Sequence, residues 1–309
     1  MLDDEIPFTG SPSPRNIYTF PNTTNMELIS DIIAGVDYSL IITTKGRVEI
    51  LLMPSWETTK FKCFPKISCV SLMKDGLIAI MHSTRPIVYS TDFQIVNMLK
   101  KPSFNLSDVV FNSIDTHDSV ISTCTSLGAI ALWDIRSNDN PRVLTIADHP
   151  NLTSLSLDQH SLIVSTGSGT VLTFDPRNLT KRISKVCLSH IFDTDSGVDA
   201  ICRNKQESWI LGFQISNTVA GIFDLMSNTV VNHIKPPKYS ICERYTKPKP
   251  IMMNNVACFS YPWSPYLYFL NTRETKNLIL PMPPITQSYH PHWDGIFVAS
   301  QMGDVIHAF

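Results

Sequence analysis

Apolar residues come in short runs along this chain, separated by small polar turns. Residues 119–136 read SVISTCTSLGAIALWDIR: one apolar run, a turn at Ser126 to Gly128, then a second run that ends in Trp133-Asp134. Both runs are rich in β-branched residues and shorter than a helix needs, and a glycine-containing turn joins them, so they predict two adjacent strands of one sheet. After about forty residues the arrangement returns. Residues 161–177 read SLIVSTGSGTVLTFDPR, with Phe174 and Asp175 in the places of Trp133 and Asp134. Paired runs across a turn also occupy 38–53, 77–89, 209–224, 256–270 and 296–309. A period of that length predicts a repeat architecture, each unit a small sheet that cannot bury its own faces alone.

Composition supports a globular reading. The chain has 309 residues, 43% hydrophobic and only 17% charged, enough apolar material for a sizeable core. The repeats use up its length as one domain over residues 16–309. Residues 1–15, MLDDEIPFTGSPSPR, combine proline, glycine and acidic residues without apolar period and are expected to form a flexible tail. The Ser-Pro steps at Ser11 and Ser13 are candidate phosphorylation sites or simply tail sequence.

A net charge of −2 provides no global basic field, so direct nucleic-acid binding is not expected. No run approaches eighteen apolar residues and the acidic, proline-rich start differs from a secretory signal; neither membrane insertion nor secretion is expected, and the nucleus or cytoplasm is. Seven cysteines, an odd number, show no paired spacing. Cys69, Cys124, Cys187, Cys202 and Cys258 fall inside expected strands, which suits small buried side chains in a reducing compartment.

The Trp133-Asp134 strand ending, its decayed copy at Phe174-Asp175, and His149 followed by Leu152, Leu155 and Leu157 resemble WD repeats. The resemblance implies an all-β fold, a seven-bladed WD-repeat-like β-propeller closed by an N-terminal strand. Blades are expected at 26–64, 67–100, 109–146, 152–188 and 198–233, followed by two more. The last run stops at Phe309, in its third strand, and NIYTF at 16–20 is expected to supply the missing outer strand. Trp133, His149 and Phe174 take structural roles, with Thr123 and Thr166 as remnants of the hydrogen-bonded tetrad of a complete WD repeat. Trp293-Asp294-Gly295 falls at a hairpin and is not a repeat ending.

Chemistry-bearing motifs are few. The chain contains no G-x-S-x-G, H-E-x-x-H or C-x-x-C, and STGSGT at 165–170 lacks the lysine and spacing of a phosphate loop. His290 and His292 flank Pro291 without a third ligand nearby. No catalytic, cofactor-binding or metal-binding residue is assigned, and the protein is not expected to be an enzyme. Two features point to partners. Residues 235–250, KPPKYSICERYTKPKP, read as a projecting loop with Tyr239 and Tyr245 as anchors, or as a solvated insertion. An arginine follows the strand-ending acid by two residues at Asp134-Ile135-Arg136 and Asp175-Pro176-Arg177, and in weaker form at Asn271-Thr272-Arg273. Adjacent W-D-x-R endings resemble the box of propellers that serve as substrate receptors of cullin-type ubiquitin ligases, where the arginines face the adaptor. The plainer alternative is that Asp and Arg cap the turn. The leading expectation is a non-catalytic interaction scaffold, a constitutive subunit of a multiprotein assembly of nuclear-pore, checkpoint or chromatin type; the alternative is the ligase receptor, with a cullin-ligase adaptor as partner.

Overall fold

The computed structural model describes residues 14–19, 29–35, 37–52, 55, 57–104, 109–204, 207–216, 219–235, 250–252, 256–261, 264–269, 275–277, 284–290, 295–300 and 304–308, with side chains from residue 29 to residue 259. Strand β1 (Pro14–Thr19) is followed by a first blade of β2 (Ile29–Ala34), β3 (Tyr38–Thr43), β4 (Arg47–Leu52) and β5 (Thr58–Cys63). The second blade is β6 (Ile67–Leu72), β7 (Ile78–His82), β8 (Pro86–Tyr89) and β9 (Ile95–Met98). The third is β10 (Phe111–His117), β11 (Val120–Thr125), β12 (Ala129–Asp134) and β13 (Arg142–Thr145). The fourth is β14 (Leu152–Leu157), β15 (Leu162–Thr166), β16 (Thr170–Asp175) and β17 (Asn178–Cys187), followed by a one-turn helix α1 (Leu188–Ile191). The fifth is β18 (Val198–Arg203), β19 (Ile210–Ile215), β20 (Val219–Asp224) and β21 (Thr229–Ile234). Then come β22 (Ile251–Met252), β23 (Val256–Tyr261), β24 (Ser264–Phe269), β25 (Thr275–Asn277), β26 (Pro284–His290), β27 (Gly295–Ser300) and β28 (Asp304–Ala308).

Within each blade the four strands pair antiparallel in chain order, as do β22 to β25. Innermost strands of successive sheets touch around a ring: β6 with β10, β10 with β14, β14 with β18, β18 with β22, β22 with β26, and β26 with β2. A shared apolar cluster joins the first blade to the second. The architecture is an all-β propeller. Where the sequence predicts seven blades, five are described down to their side chains; the sheets β22–β25 and β26–β28 with β1 are described by strand pairing.

Burial explains why the middle strands read as unbroken apolar runs. Each blade packs both faces against neighbours, so alternate side chains enter two different cores. On β12, Ile130 and Leu132 join Leu155, Val164 and Phe174 of the fourth blade, whereas Ala131 and Trp133 join Ala79, Met81 and Val88 of the second. Outer strands have no such cover: five of the six residues of β5 are exposed.

Polar side chains of the inner strands fasten one blade to the next. Thr116 Oγ1 donates to the Leu72 carbonyl at 2.8 Å, Asn112 Nδ2 to the Leu152 carbonyl at 2.6 Å, and the Leu157 amide to Asp115 Oδ2 at 2.8 Å. Thr153 Oγ1 donates to the Val198 carbonyl. These bonds satisfy backbone groups that the sheet leaves open at its inner edge, where an unmade bond is costly.

Strand β1 pairs antiparallel with β28, Ile17 opposite Ile306, so the N-terminal segment completes the last sheet. It begins at Pro14, inside the stretch the sequence assigns to the tail; the register shifts between Pro14 and Asn16. Proline lacks an N–H, and a strand's first residue tolerates that. The remainder of that tail, residues 1–13, lies outside the described residues.

Cysteine placement differs from the expectation of general burial. Cys124 and Cys258 are buried, Cys69, Cys187 and Cys202 are partly exposed, Cys63 is exposed, and none of these six is joined in a disulfide. The departure follows from position. Cys187 ends an outer strand and Cys69 and Cys202 lie on inner strands, both less covered than the middle of a blade.

Candidate partner-binding face

Because strands alternate in direction, the turn after the first strand and the turn after the third strand of every blade lie on the same face of the ring. Both D-x-R segments follow third strands, β12 and β16, so they share that face on adjacent blades. Each aspartate binds its turn the same way. Asp134 Oδ1 accepts from the Arg136 amide at 3.0 Å, and Asp175 Oδ1 from the Arg177 amide at 2.9 Å. The arginine then folds back over the carboxylate that holds its backbone. Arg136 Nε donates to Asp134 Oδ1 at 3.0 Å and Nη2 to Oδ2 at 2.7 Å; the corresponding distances from Arg177 to Asp175 are 3.2 and 3.5 Å. The forked pairing is the geometry that a guanidinium makes with a carboxylate. The bonds from Arg136 hold the Asp134 carboxyl down at about 2; for Asp175 the turn amide and then the guanidinium lower it.

The fifth blade separates the two roles of this motif. Asp224 ends β20 and caps its turn too, accepting from the Met226 amide at 2.8 Å and the Ser227 amide at 3.2 Å, yet a methionine stands in the arginine's place. The aspartate therefore suffices for the turn. The arginine is an addition to it, and its side chain remains 73% exposed at Arg136 and 76% at Arg177. Arg142, at the start of β13, donates from Nη1 to the Arg177 carbonyl at 3.0 Å and so bridges the third blade to the fourth blade's turn.

Nearer the axis, the same face carries an ion-pair mesh that sequence reasoning did not single out. Arg203 Nη1 lies 3.0 Å from Asp158 Oδ2 and Nη2 donates to the Ser161 carbonyl at 3.2 Å; its side chain is only 7% exposed. His117 stands between Asp118 at 3.6 Å and Asp158 at 3.7 Å, and Lys74 reaches Asp118 at 3.5 Å. The one signal in the sequence was an arginine inside a predicted strand, which has no local partner. Its acid arrives from the preceding blade, one repeat period away.

On the opposite face lie the turns between second and third strands. Thr43, Thr125 and Thr166 each accept, through Oγ1, from the amide four residues on at 3.0–3.1 Å, and Gly46, Gly128 and Gly169 follow them with φ of +81°, +77° and +80°. A Cβ at Gly46 would stand 2.2 Å from the Phe64 carbonyl oxygen, so both the φ and the space call for glycine. The glycines of 165–170 thus serve a hairpin turn.

The residues expected to be structural are buried. Trp133 is 3% exposed and its Nε1 donates to the Lys100 carbonyl at 2.8 Å; Phe174 is 4% exposed. The remnant tetrad is not assembled in the third blade, because Thr123 Oγ1 is buried without a hydrogen-bond partner while the indole N–H bonds to the neighbouring blade. In the fourth blade, His149 Nδ1 lies 3.2 Å from Ser168 Oγ, which lies 2.9 Å from Thr166 Oγ1, so the two remnants are joined through a serine. Tyr239, Tyr245 and Arg273 lie outside the described residues.

Among the described residues, no group of three His, Cys, Asp or Glu side chains is placed to hold a metal, and no helix is long and apolar enough to cross a membrane. An open groove of about 320 Å³ lies between β5 and the turn Asp92 to Gln94, lined by Lys60, Phe61 and Lys62, with Lys60 paired to Asp92. No protein-family model and no curated protein matches this chain.

Proposed function

We propose that the protein is a WD-repeat-type propeller of seven blades that acts without catalysis as an interaction scaffold, a constitutive subunit of a larger nuclear or cytoplasmic assembly of nuclear-pore, checkpoint or chromatin type. One observation carries the reading. Two arginines on adjacent blades are each fixed by an aspartate that the turn needs anyway, and each leaves its side chain largely exposed. A guanidinium held in one orientation loses little freedom on docking, and arginine is prominent among the residues that dominate binding energy at interfaces. The adjacency of the two D-x-R turns also favours the second reading, a substrate receptor that docks a cullin-ligase adaptor through them.

The test is affinity purification of the tagged intact protein from cells, beside the Arg136→Ala/Arg177→Ala variant. The variant is expected to melt close to the parent, since exposed ion pairs contribute little to stability, and to lose its stoichiometric partner. A cullin adaptor among the lost proteins selects the receptor; another stable set selects the assembly subunit. Full retention of all partners by the folded variant refutes both.

A further inference from the structure

The row of third-strand turns changes character from blade to blade. In the third blade Arg136 stands with two acids, its own Asp134 and the nearby Asp118. In the fourth the balance is cationic. Arg177 and the bridging Arg142 share the turn, Lys181 lies close enough to act on Asp175, and Arg182 sits opposite Phe174 in the ladder. Of these cations, Arg177 and Lys181 act on Asp175. In the fifth blade the position is apolar. Met226 is 77% exposed and Trp209 is 41% exposed. The Leu225 amide donates to the Trp209 carbonyl at 2.9 Å, which places the indole's residue beside the methionine turn on the same face.

We infer that these three turns form one docking strip for a peptide segment of a partner protein, with carboxylates over Arg142, Arg177 and Lys181 and a bulky apolar side chain against Trp209 and Met226. The inference rests on the proposed use of the D-x-R face and adds the chemistry of what binds there. Charge complementarity selects the acidic end. Cations outnumber acids at the fourth blade's turn, although the whole chain has a net charge of −2. Apolar exposure selects the other end. Met226 occupies the position where the two preceding blades present a charge, and an aromatic with a methionine is the composition enriched at interface centres. A nucleic acid fits less well, because its evenly charged backbone has no use for the apolar end and requires a broader basic field.

The experiment pans a phage-displayed random peptide library on the intact protein and measures one enriched peptide by fluorescence anisotropy. Enriched sequences are expected to carry a cluster of Asp or Glu with Leu, Ile, Phe or Trp at one end. Arg142→Ala/Arg177→Ala is expected to weaken binding at least fivefold and to flatten its salt dependence; Trp209→Ser/Met226→Ser is expected to weaken it at least fivefold with the salt dependence kept. Met226→Ser alone covers the case in which the indole change lowers the melting temperature. Enriched peptides without acids, enrichment no greater than on the Arg142→Ala/Arg177→Ala variant, or binding indifferent to the Met226 change overturns the inference. A labelled single-stranded oligonucleotide that binds through the same arginines while no peptide enriches overturns it in favour of nucleic acid. Indifference to Met226 alongside partner loss in Arg136→Ala/Arg177→Ala leaves the proposed function standing; retained partners in that variant remove the proposed function itself.

Discussion

Replacing Trp133 by alanine probes how the blades hold together. The indole is 3% exposed, lies among Ala79, Met81, Val88 and Leu99 of the second blade, and donates to the Lys100 carbonyl at 2.8 Å. Truncation of a buried tryptophan costs about 3–5 kcal/mol through lost transfer energy and an unfilled cavity. The Lys100 carbonyl also loses its donor, which adds about 1 kcal/mol if water does not replace it. Together these place Trp133→Ala near 5 kcal/mol, a drop of about 10 °C or more in melting temperature for a chain of this size. Trp133→Phe keeps most of the ring and removes the N–H, so it should lose only about 1–2 kcal/mol. Circular dichroism melts of the three proteins, with guanidinium titrations in support, provide the comparison. An alanine variant that melts within about 2 °C of the parent refutes the reasoning, because it would mean that the space between these blades relaxes or that Trp133 is not packed there.

Three other outcomes are expected. Deletion of residues 1–19 removes β1 and should lower the melting temperature, whereas deletion of residues 1–13 should not; equal melts would show that pairing with β28 contributes nothing to the ring. Arg203→Ala breaks a buried ion pair and should cost about 3 kcal/mol, with part recovered in Arg203→Leu/Asp158→Leu; a single variant as stable as the parent contradicts that burial. His149 has its pKa lowered from the ordinary 6.5, first by burial and then by Lys185, while Asp148 opposes. A depressed folded-state pKa contributes stability that is complete above the unfolded value and is lost as pH falls through it, so denaturation midpoints should decline from about pH 8 to about pH 5. His149→Gln should reduce that decline, and an unchanged slope would assign it to other groups.

How much was legible beforehand differs by element. Alternating apolar runs with turn glycines are local, so the strand pairs at 119–136 and 161–177 and the boundaries of the five blades could be read directly, and each blade begins and ends within a few residues of its expected span. The closing role of the N-terminal segment was legible by subtraction, since the last apolar run ended one strand short. Pairwise contacts across blades were not. Trp133 was expected to be structural, but its hydrogen bond to Lys100 depends on where the second blade's outer strand ends, which no local pattern encodes. The same holds for Arg203 and Asp158, which join only because consecutive inner strands stand side by side.

The D-x-R pattern shows the division most clearly. Its spacing by itself determined that Asp and Arg share a turn after a strand, because a carboxylate two residues before an amide is placed to accept from it. Which of them serves the fold was decided by tertiary structure, where Asp224 caps the same turn without an arginine. That the arginines, the bridging Arg142 and the apolar Met226 lie on one face was likewise decided there. Strand direction alternates within each blade and repeats from blade to blade, so residues about forty positions apart in the chain become neighbours in a row.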